Sequence, residues 1–271
     1  MAKLMQWAAA GILFAATMAW GQEGVPPHVW SKLAAQDKVL FGKLAQLELE
    51  ALWSVVAEAG YTNCFVNELT PIHNNRRLIG RARTIRYLPN RPDLRERLYK
   101  AGPQLNYVSS DNAEPGDVLV FDAGGDVRSA VTGAMTTRRL VARGGAGMIA
   151  DGAFRDVGQM RELPIQVYMK RGQAAAVNPN LMSVDYQVPV RIGNVTILPG
   201  DVLVGEEHGV LVIPAAVLDK ALAKAGETVE REEFQKKLLE QGEPIGGVYP
   251  RLNDANQKRF EAQRKGVAPK R

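Results

Sequence analysis

Apolar residues recur at helical spacing between Trp30 and Gly60, at Leu33, Leu40, Leu44, Leu47, Leu52, Val55, Val56 and Ala59. The pattern predicts one or two helices, with a break at Gly42 and a stop at Gly60. Segments 63–70 and 78–87 read as strands. In the second, Ile79, Ala82, Thr84 and Ile85 are interleaved with Arg81, Arg83 and Arg86, so one face is expected in solvent. Residues 88–92 punctuate with two prolines, and 93–100 form a short helix with an acidic start. After the Pro115-Gly116-Asp117 turn, Val118 to Phe121 is an unbroken apolar run, the pattern of a strand buried on both faces. Gly124 and Gly125 end it. A helix then runs to Arg143 and stops at Gly144-Gly145. Met148 to Ala150 is the next short strand, leading into a glycine turn at Asp151-Gly152.

A strand, glycine loop, helix and strand within about 35 residues is the spacing of a βαβ crossover. In open α/β sheets ligands bind beyond the carboxyl ends of the strands, where Asp122–Asp126 and Asp151–Asp156 would both lie. After Pro164 the texture changes to short strands at 165–168, 188–192, 195–198, 202–204 and 210–213, followed by a helix from Ala215 and another over 227–241. Pro199-Gly-Asp-Val-Leu-Val204 repeats Pro115-Gly-Asp-Val-Leu-Val120. One turn geometry used twice accounts for this more simply than an internal duplication.

The 271 residues are 46% hydrophobic and 23% charged, which excludes wholesale disorder and allows a substantial core. The formal net charge of +5 comes from scattered basic residues. Lys258, Arg259, Arg264, Lys265, Lys270 and Arg271 make a loose basic tail, read as a solvated helix end, and no nucleic-acid partner is expected. At the front, Lys3 precedes an apolar run from Trp7 to Ala19, and Ala19 and Gly21 stand at the minus-three and minus-one positions of a cut before Gln22. This is a signal-peptide pattern and predicts an exported protein, periplasmic or secreted. The run is short for a span, an uncleaved anchor being the alternative. Cys64 is the single cysteine, so no internal disulfide forms, and its apolar setting suits a buried thiol. His28, His73 and His208 are too far apart in sequence for a histidine-rich zinc motif.

Three segments carry candidate chemistry. Arg155-Asp156 sets a guanidinium beside a carboxylate: one suits an oxyanion, the other a hard divalent cation that keeps several waters. The same residues also fit a structural role, with Asp156 as N-cap and Gln159 three residues on in a capping box, and Arg155 paired with Glu162 on the surface. Gly133 to Thr136 reads as a glycine-led helix start whose free N–H groups can bind carboxylate or phosphate. It fits neither a dinucleotide fingerprint nor a P-loop. Glu206-Glu207-His208 falls between two apolar strands, either as a polar turn or as the lip of a site.

Taken in order, Pro115-Gly-Asp-Val-Leu-Val, Asp122-x-Gly-Gly, Gly133, Gly147-x-x-x-Asp-Gly-Ala-x-Arg155-Asp156, Pro199-Gly-Asp and Gly209-Val-Leu-Val-Ile-Pro214 resemble the RraA-like family. That family includes 4-hydroxy-4-methyl-2-oxoglutarate aldolases and relatives of the regulator of ribonuclease E activity A. Leu69-Thr-Pro and Gly80-Arg-Ala-Arg-Thr84 extend the match, which covers roughly residues 45–240. The resemblance implies an α/β fold: a swivelling β/β/α domain with βαβ units and a mixed sheet, plus N-terminal and C-terminal helices. The expected organisation is a signal peptide (1–21), an N-terminal helical extension (22–44), the catalytic domain (45–240) and a basic C-terminal tail (241–271).

The resemblance further implies a Mg²⁺- or Mn²⁺-dependent aldolase that releases pyruvate from a short 2-oxo dicarboxylate and can decarboxylate oxaloacetate. The family works as a homotrimer or hexamer with active sites between subunits. By position, Asp156 would hold the metal and Arg155 the substrate keto oxygen. The backbone of Gly133, Ala134, Met135 and Thr136 would bind carboxylate. Glu206 or Glu207 would reach the site of a neighbouring subunit. The chain departs from the family pattern at Met135 and Thr136, where an acidic residue and leucine are expected, and at Ser54 and His208, where aspartates are usual. The alternative is a non-catalytic binding protein like the ribonuclease regulators. A methyltransferase label attached to some such sequences finds no S-adenosylmethionine-binding glycine fingerprint here.

Overall fold

The apolar run near residue 120 is the middle of a ten-stranded mixed sheet. The computed structural model describes residues 27–177 and 180–265, so the expected signal peptide lies outside the described residues. The chain opens with α1 (Pro27–Trp30), α2 (Ala35–Ala45) and α3 (Leu49–Glu58), then two short strands, β1 (Phe65–Val66) and β2 (Thr70–Pro71). Next come β3 (Leu78–Pro89), α4 (Pro92–Ala101), α5 (Leu105–Asp111), β4 (Asp117–Asp122), β5 (Ala130–Thr132) and α6 (Ala134–Arg143). β6 (Gly147–Phe154), α7 (Val157–Arg161), β7 (Gln166–Gly172), β8 (Leu181–Tyr186), β9 (Val190–Ile192) and β10 (Val195–Ile197) follow. β11 (Val202–Glu206), β12 (Gly209–Ile213), α8 (Leu218–Glu240) and α9 (Asp254–Arg264) complete it.

The strand order is β1-β12-β11-β3-β4-β6-β7-β2, with β5 on β6 and β8 on β3. β3, β4, β6 and β7 are parallel, while β11, β12, β1, β2 and β8 join antiparallel. β4, α6 and β6 form the expected crossover unit. The sheet curls so that the Tyr168 hydroxyl on β7 donates to the Glu206 carbonyl oxygen on β11 at 2.9 Å. One apolar core lies under α2, α3 and the first half of α8, and a second lies between β3, β4, β6 and α6. Phe234, Leu238, Val248 and Phe260 make a small third cluster that fastens α9 to α8. The basic tail thus contains a packed helix. Among the described residues no helix is long and apolar enough to cross a membrane.

The repeated Pro-Gly-Asp is one turn built twice. Gly116 and Gly200 both have φ +88, a left-handed conformation that glycine adopts without strain. In each turn the aspartate N–H bonds the carbonyl three residues back (Glu114 or Leu198), and the aspartate carboxylate accepts that residue's N–H. Burial pushes both the Asp117 and Asp201 carboxyls up. The two turns flank β3 from opposite sides: Arg81 N–H donates to Gly116 O and Ala82 N–H to Asp201 O.

Several expectations need correction. Gly42 lies inside α2, and the break falls at 46–48 instead. Segment 63–70 is two separate short strands. β5 intervenes between the Gly124-Gly125 loop and α6. Asp151-Gly152 is not a turn: β6 runs through it to Phe154, because β7 and β5 pair along that stretch. The two C-terminal helices are one, since Gly226 sits within α8 at a tolerable cost of about 1 kcal/mol. α5 and β8 were not foreseen.

α6 ends as its glycines predict, with Gly144 left-handed at φ +89 and its N–H on Leu140 and Val141 carbonyls. The N-terminal extension reaches the same end. Lys32 Nζ donates to Ala142 O at 2.6 Å and His28 Nε2 lies 3.4 Å from Gly145 O. A cation there complements the negative end of the helix dipole. Cys64 is buried, and burial pushes its thiol up. In the native protein, labelling of Cys64 by a thiol reagent should be slower than in denaturant by about a hundredfold or more. Fast stoichiometric labelling under native conditions would contradict this placement.

Candidate active site

Two segments far apart in sequence meet at the carboxyl end of β6. Thr132 ends β5, and its carbonyl accepts the Arg155 N–H at 3.0 Å. The next residue, Gly133, is the N-cap of α6 and has extended backbone without a side-chain cap. It lies directly against the Arg155-Asp156 pair. A Cβ at Gly133 would stand 2.5 Å from Arg155 Cγ and 2.7 Å from Asp156 Oδ2. Only a residue without a side chain lets the helix start come this close.

The first intrahelical bond of α6 runs from Thr137 N–H to Gly133 O at 3.2 Å, and Thr137 Oγ1 bonds the same carbonyl at 3.0 Å. The N–H groups of Ala134, Met135 and Thr136 therefore lie ahead of the helical ladder, at the positive end of the dipole. Met135 is 77% exposed and stands at the lip, whereas Ala134 and Thr136 are buried. Thr132 Oγ1, in the residue just before Gly133, is buried without a hydrogen-bond partner among the described residues. In the sequence this hydroxyl is signalled only by its place next to the glycine.

Arg155 and Asp156 follow β6 with side chains 44% and 31% exposed. Asp156 occupies the N-cap position of α7 but is left-handed, at φ 56 and ψ 32, and makes no side-chain cap bond. The capping-box reading is corrected on that ground, because the left-handed backbone aims the carboxylate away from the α7 amides. Nor does Arg155 pair with Glu162 among the described interactions. Its Nε lies 3.4–3.5 Å from the Asp156 oxygens, a loose contact that leaves both groups with free hydrogen-bonding capacity. A half-exposed carboxylate with free lone pairs suits a cation that takes one protein ligand and keeps its waters. Among the described residues no group of three or more His, Cys, Asp or Glu gathers to form a protein-only cage.

Glu206 and Glu207 are elsewhere. β11 runs antiparallel to β3, with Gly205 opposite Leu78, so its final residue lies where β3 begins. That is the opposite end of the sheet from Arg155 and Asp156. Glu206 pairs with Arg77 at 3.2 Å, and Glu207 lies 3.5 Å from His208 in the turn. A cavity of about 590 Å³ follows the Asp122–Arg128 loop between Arg86, Arg128 and Arg191, and neither Arg155 nor Asp156 lines it.

Residues 52–212 match the RraA-like family described as Aldolase/RraA. The chain belongs to that family. A 4-hydroxy-4-methyl-2-oxoglutarate aldolase of Thermus thermophilus is 31% identical over 142 residues, 51% of this chain and 76% of the relative. A Halalkalibacterium halodurans protein, which bears the same aldolase name provisionally, is 30% identical over 181 residues, 66% of this chain and 80% of its own. Among solved structures, Streptomyces coelicolor RraAS2, an unusual member of the RNase ES inhibitor RraA protein family, superposes with a TM-score of 0.66. It shares 27% identity and covers 76% of this chain and 98% of its own. The mixed α/β fold is that of the Aldolase/RraA family. α1, α2, α8 and α9 lie outside the matched segment.

Proposed function

We propose that this Aldolase/RraA member is a divalent-metal-dependent carbon–carbon lyase that releases pyruvate from a short 2-oxo dicarboxylate, of the 4-hydroxy-4-methyl-2-oxoglutarate type, and decarboxylates oxaloacetate. The observation that carries the reading is the contact at Gly133, where a helix start free of any side chain abuts a guanidinium and a carboxylate with no better partners among the described residues. The aldolase names of the relatives support the reaction class.

The substrate carboxylate would accept N–H groups at the start of α6. Arg155 would donate to the keto oxygen. When the carbon–carbon bond breaks, its electron pair stays on the pyruvate half and spreads as an enolate onto that oxygen, where the guanidinium already stands. Asp156 would hold Mg²⁺ or Mn²⁺, largely through water, and the ion when bound supplies further positive charge against the enolate. Within one chain Glu206 and Glu207 are at the wrong end of the sheet, so any part they play requires a second copy, as in a homotrimer or hexamer.

The test is pyruvate release from a panel of 2-oxo acids, with Mg²⁺ or Mn²⁺ and after chelation. Metal-dependent turnover is expected. Arg155→Lys should lower kcat by about 10- to 100-fold, since a point charge replaces a planar fork of donors. Absence of turnover on every 2-oxo acid, together with absence of Mn²⁺ binding, would overturn the reading. It would favour the second one, a protein-binding role of the kind named for the Streptomyces relative, whose likeness spans three quarters of this chain.

A further inference from the structure

The proposed reaction uses Arg155 and Asp156 and leaves Asp151 and Gly152, in the same segment, without a role. β6 pairs regularly with β7 as far as Ala150 opposite Met169 and resumes at Ala153 opposite Arg171. In between, β6 has Asp151 and Gly152 where β7 has only Lys170. β6 therefore bulges, and a bulge bends its strand and re-aims the residues that follow. Those residues are Ala153 and Phe154, paired with β5, and then Arg155, hydrogen-bonded to Thr132. The bulge thus sets the direction in which Arg155 and Asp156 meet Gly133.

Asp151 holds the bulge from three sides. Its side chain is 3% exposed, with Lys170 Nζ 2.8 Å from Oδ1. The Gly193 N–H reaches Oδ2 at 3.4 Å, and the Gly125 N–H donates to the Asp151 carbonyl at 3.0 Å. Oδ1 has no well-directed hydrogen bond, so proximity of the ammonium is its compensation for burial. Lys170 also lies 3.9 Å from Glu68 Oε2 and packs behind Gly125. Gly152 is pressed against the loop after β4, where a Cβ would stand 2.7 Å from Ala123 Cβ and 3.0 Å from Asp126 O.

We propose that Asp151 and Lys170 are positioning residues, whose ion pair across the β6 bulge fixes the aim of Arg155 and Asp156 at the start of α6. This rests on the reading of Arg155-Asp156 as the reacting pair. The pair acts through the strand. If the bulge relaxed into regular pairing, every later side chain of β6 would turn to the opposite face, because strand side chains alternate with a period of two. A lone buried charge is also costly, so removing Lys170 strands the Asp151 carboxylate and favours that relaxation, while Asp151→Asn removes the charge that draws Lys170 across the bulge.

The experiment compares Asp151→Asn, Lys170→Met and the double variant with wild type and Asp156→Asn, in the full chain with oxaloacetate and Mg²⁺. Each single variant should lose about 30-fold or more in kcat, with KM changed by less than about threefold, since misplacing reacting groups by around 1 Å has such effects. The double variant should regain the melting temperature lost by the singles without regaining kcat, a split that a merely structural pair would not produce. Folded single variants with kcat within about threefold of wild type, or a double variant whose kcat recovers with its stability, would overturn the proposal. A wild type without turnover would count against the lyase reading alone. In that case the Arg155 amide reports directly: exchange faster by about tenfold in both single variants supports the positioning role, and unchanged exchange overturns it.

Discussion

Asp156→Gly is expected to raise the melting temperature and abolish pyruvate release in the same molecule. Asp156 sits at φ 56 and ψ 32, a conformation that costs an L-residue roughly 1 kcal/mol, and its side chain makes no cap bond in return. Its contact with Arg155, 3.4 Å between half-exposed groups, offsets little. Glycine occupies this backbone without strain, although its freer unfolded chain takes back part of the gain. The net should be about 0.5 kcal/mol, near 1–2 °C for a chain of this size. Activity should fall by about a thousandfold or more, because the carboxylate that would hold the metal is gone. Asp156→Asn separates the two effects. It tolerates the left-handed backbone and keeps the shape, so stability should hold while activity falls as far. Calorimetry beside the pyruvate assay decides the matter, and an Asp156→Gly enzyme within tenfold of wild type would remove Asp156 from the chemistry.

The second large effect is expected at Gly133. An alanine methyl there would meet Arg155 Cγ at 2.5 Å and Asp156 Oδ2 at 2.7 Å, distances that force both side chains aside. Gly133 has extended backbone open to any residue, so the whole penalty is steric. Gly133→Ala should lower kcat/KM by about a hundredfold through displacement of the reacting groups and cost about 1–3 kcal/mol of stability through overpacking. Gly158→Ala is the control. It lies nearby in α7 with nothing within 4 Å of the added carbon, and it should leave activity unchanged and stabilise by up to about 1 kcal/mol. Equal activity losses in the two variants would show that the contact at Gly133 is not what matters.

The parts legible in the sequence were those where one signal sufficed. An unbroken apolar run marked β4, Gly144-Gly145 marked the end of α6, and the Pro-Gly-Asp repeat marked two equivalent turns. β6 was foreshortened because Asp-Gly is a turn dipeptide by local preference, and pairing on both edges outweighs that preference. β8 carries Ser183 and Asp185 among its six residues and lacks an apolar run to announce it. α5 is seven residues with two serines, held by packing rather than propensity. At the site, the residue types and their order pointed to Gly133, Arg155 and Asp156. The left-handed backbone of Asp156 was hidden, since the capping-box pattern describes the same residues in a different conformation. Asp151 and Lys170 were also hidden as a pair: their partnership follows from the register between β6 and β7, and nothing in the spacing of an aspartate and a lysine nineteen positions apart reveals it.

α6 is gripped at both ends, with Gly133 against Arg155 and Asp156 at one and Lys32 on the Ala142 carbonyl at the other. Lys32 lies twenty residues ahead of the family-matching segment. The contact that holds the far end of the helix therefore comes from outside the span that the family shares. Loss of Lys32 would strip the Ala142 carbonyl of its ammonium partner, about 15 Å along the helix axis from Gly133.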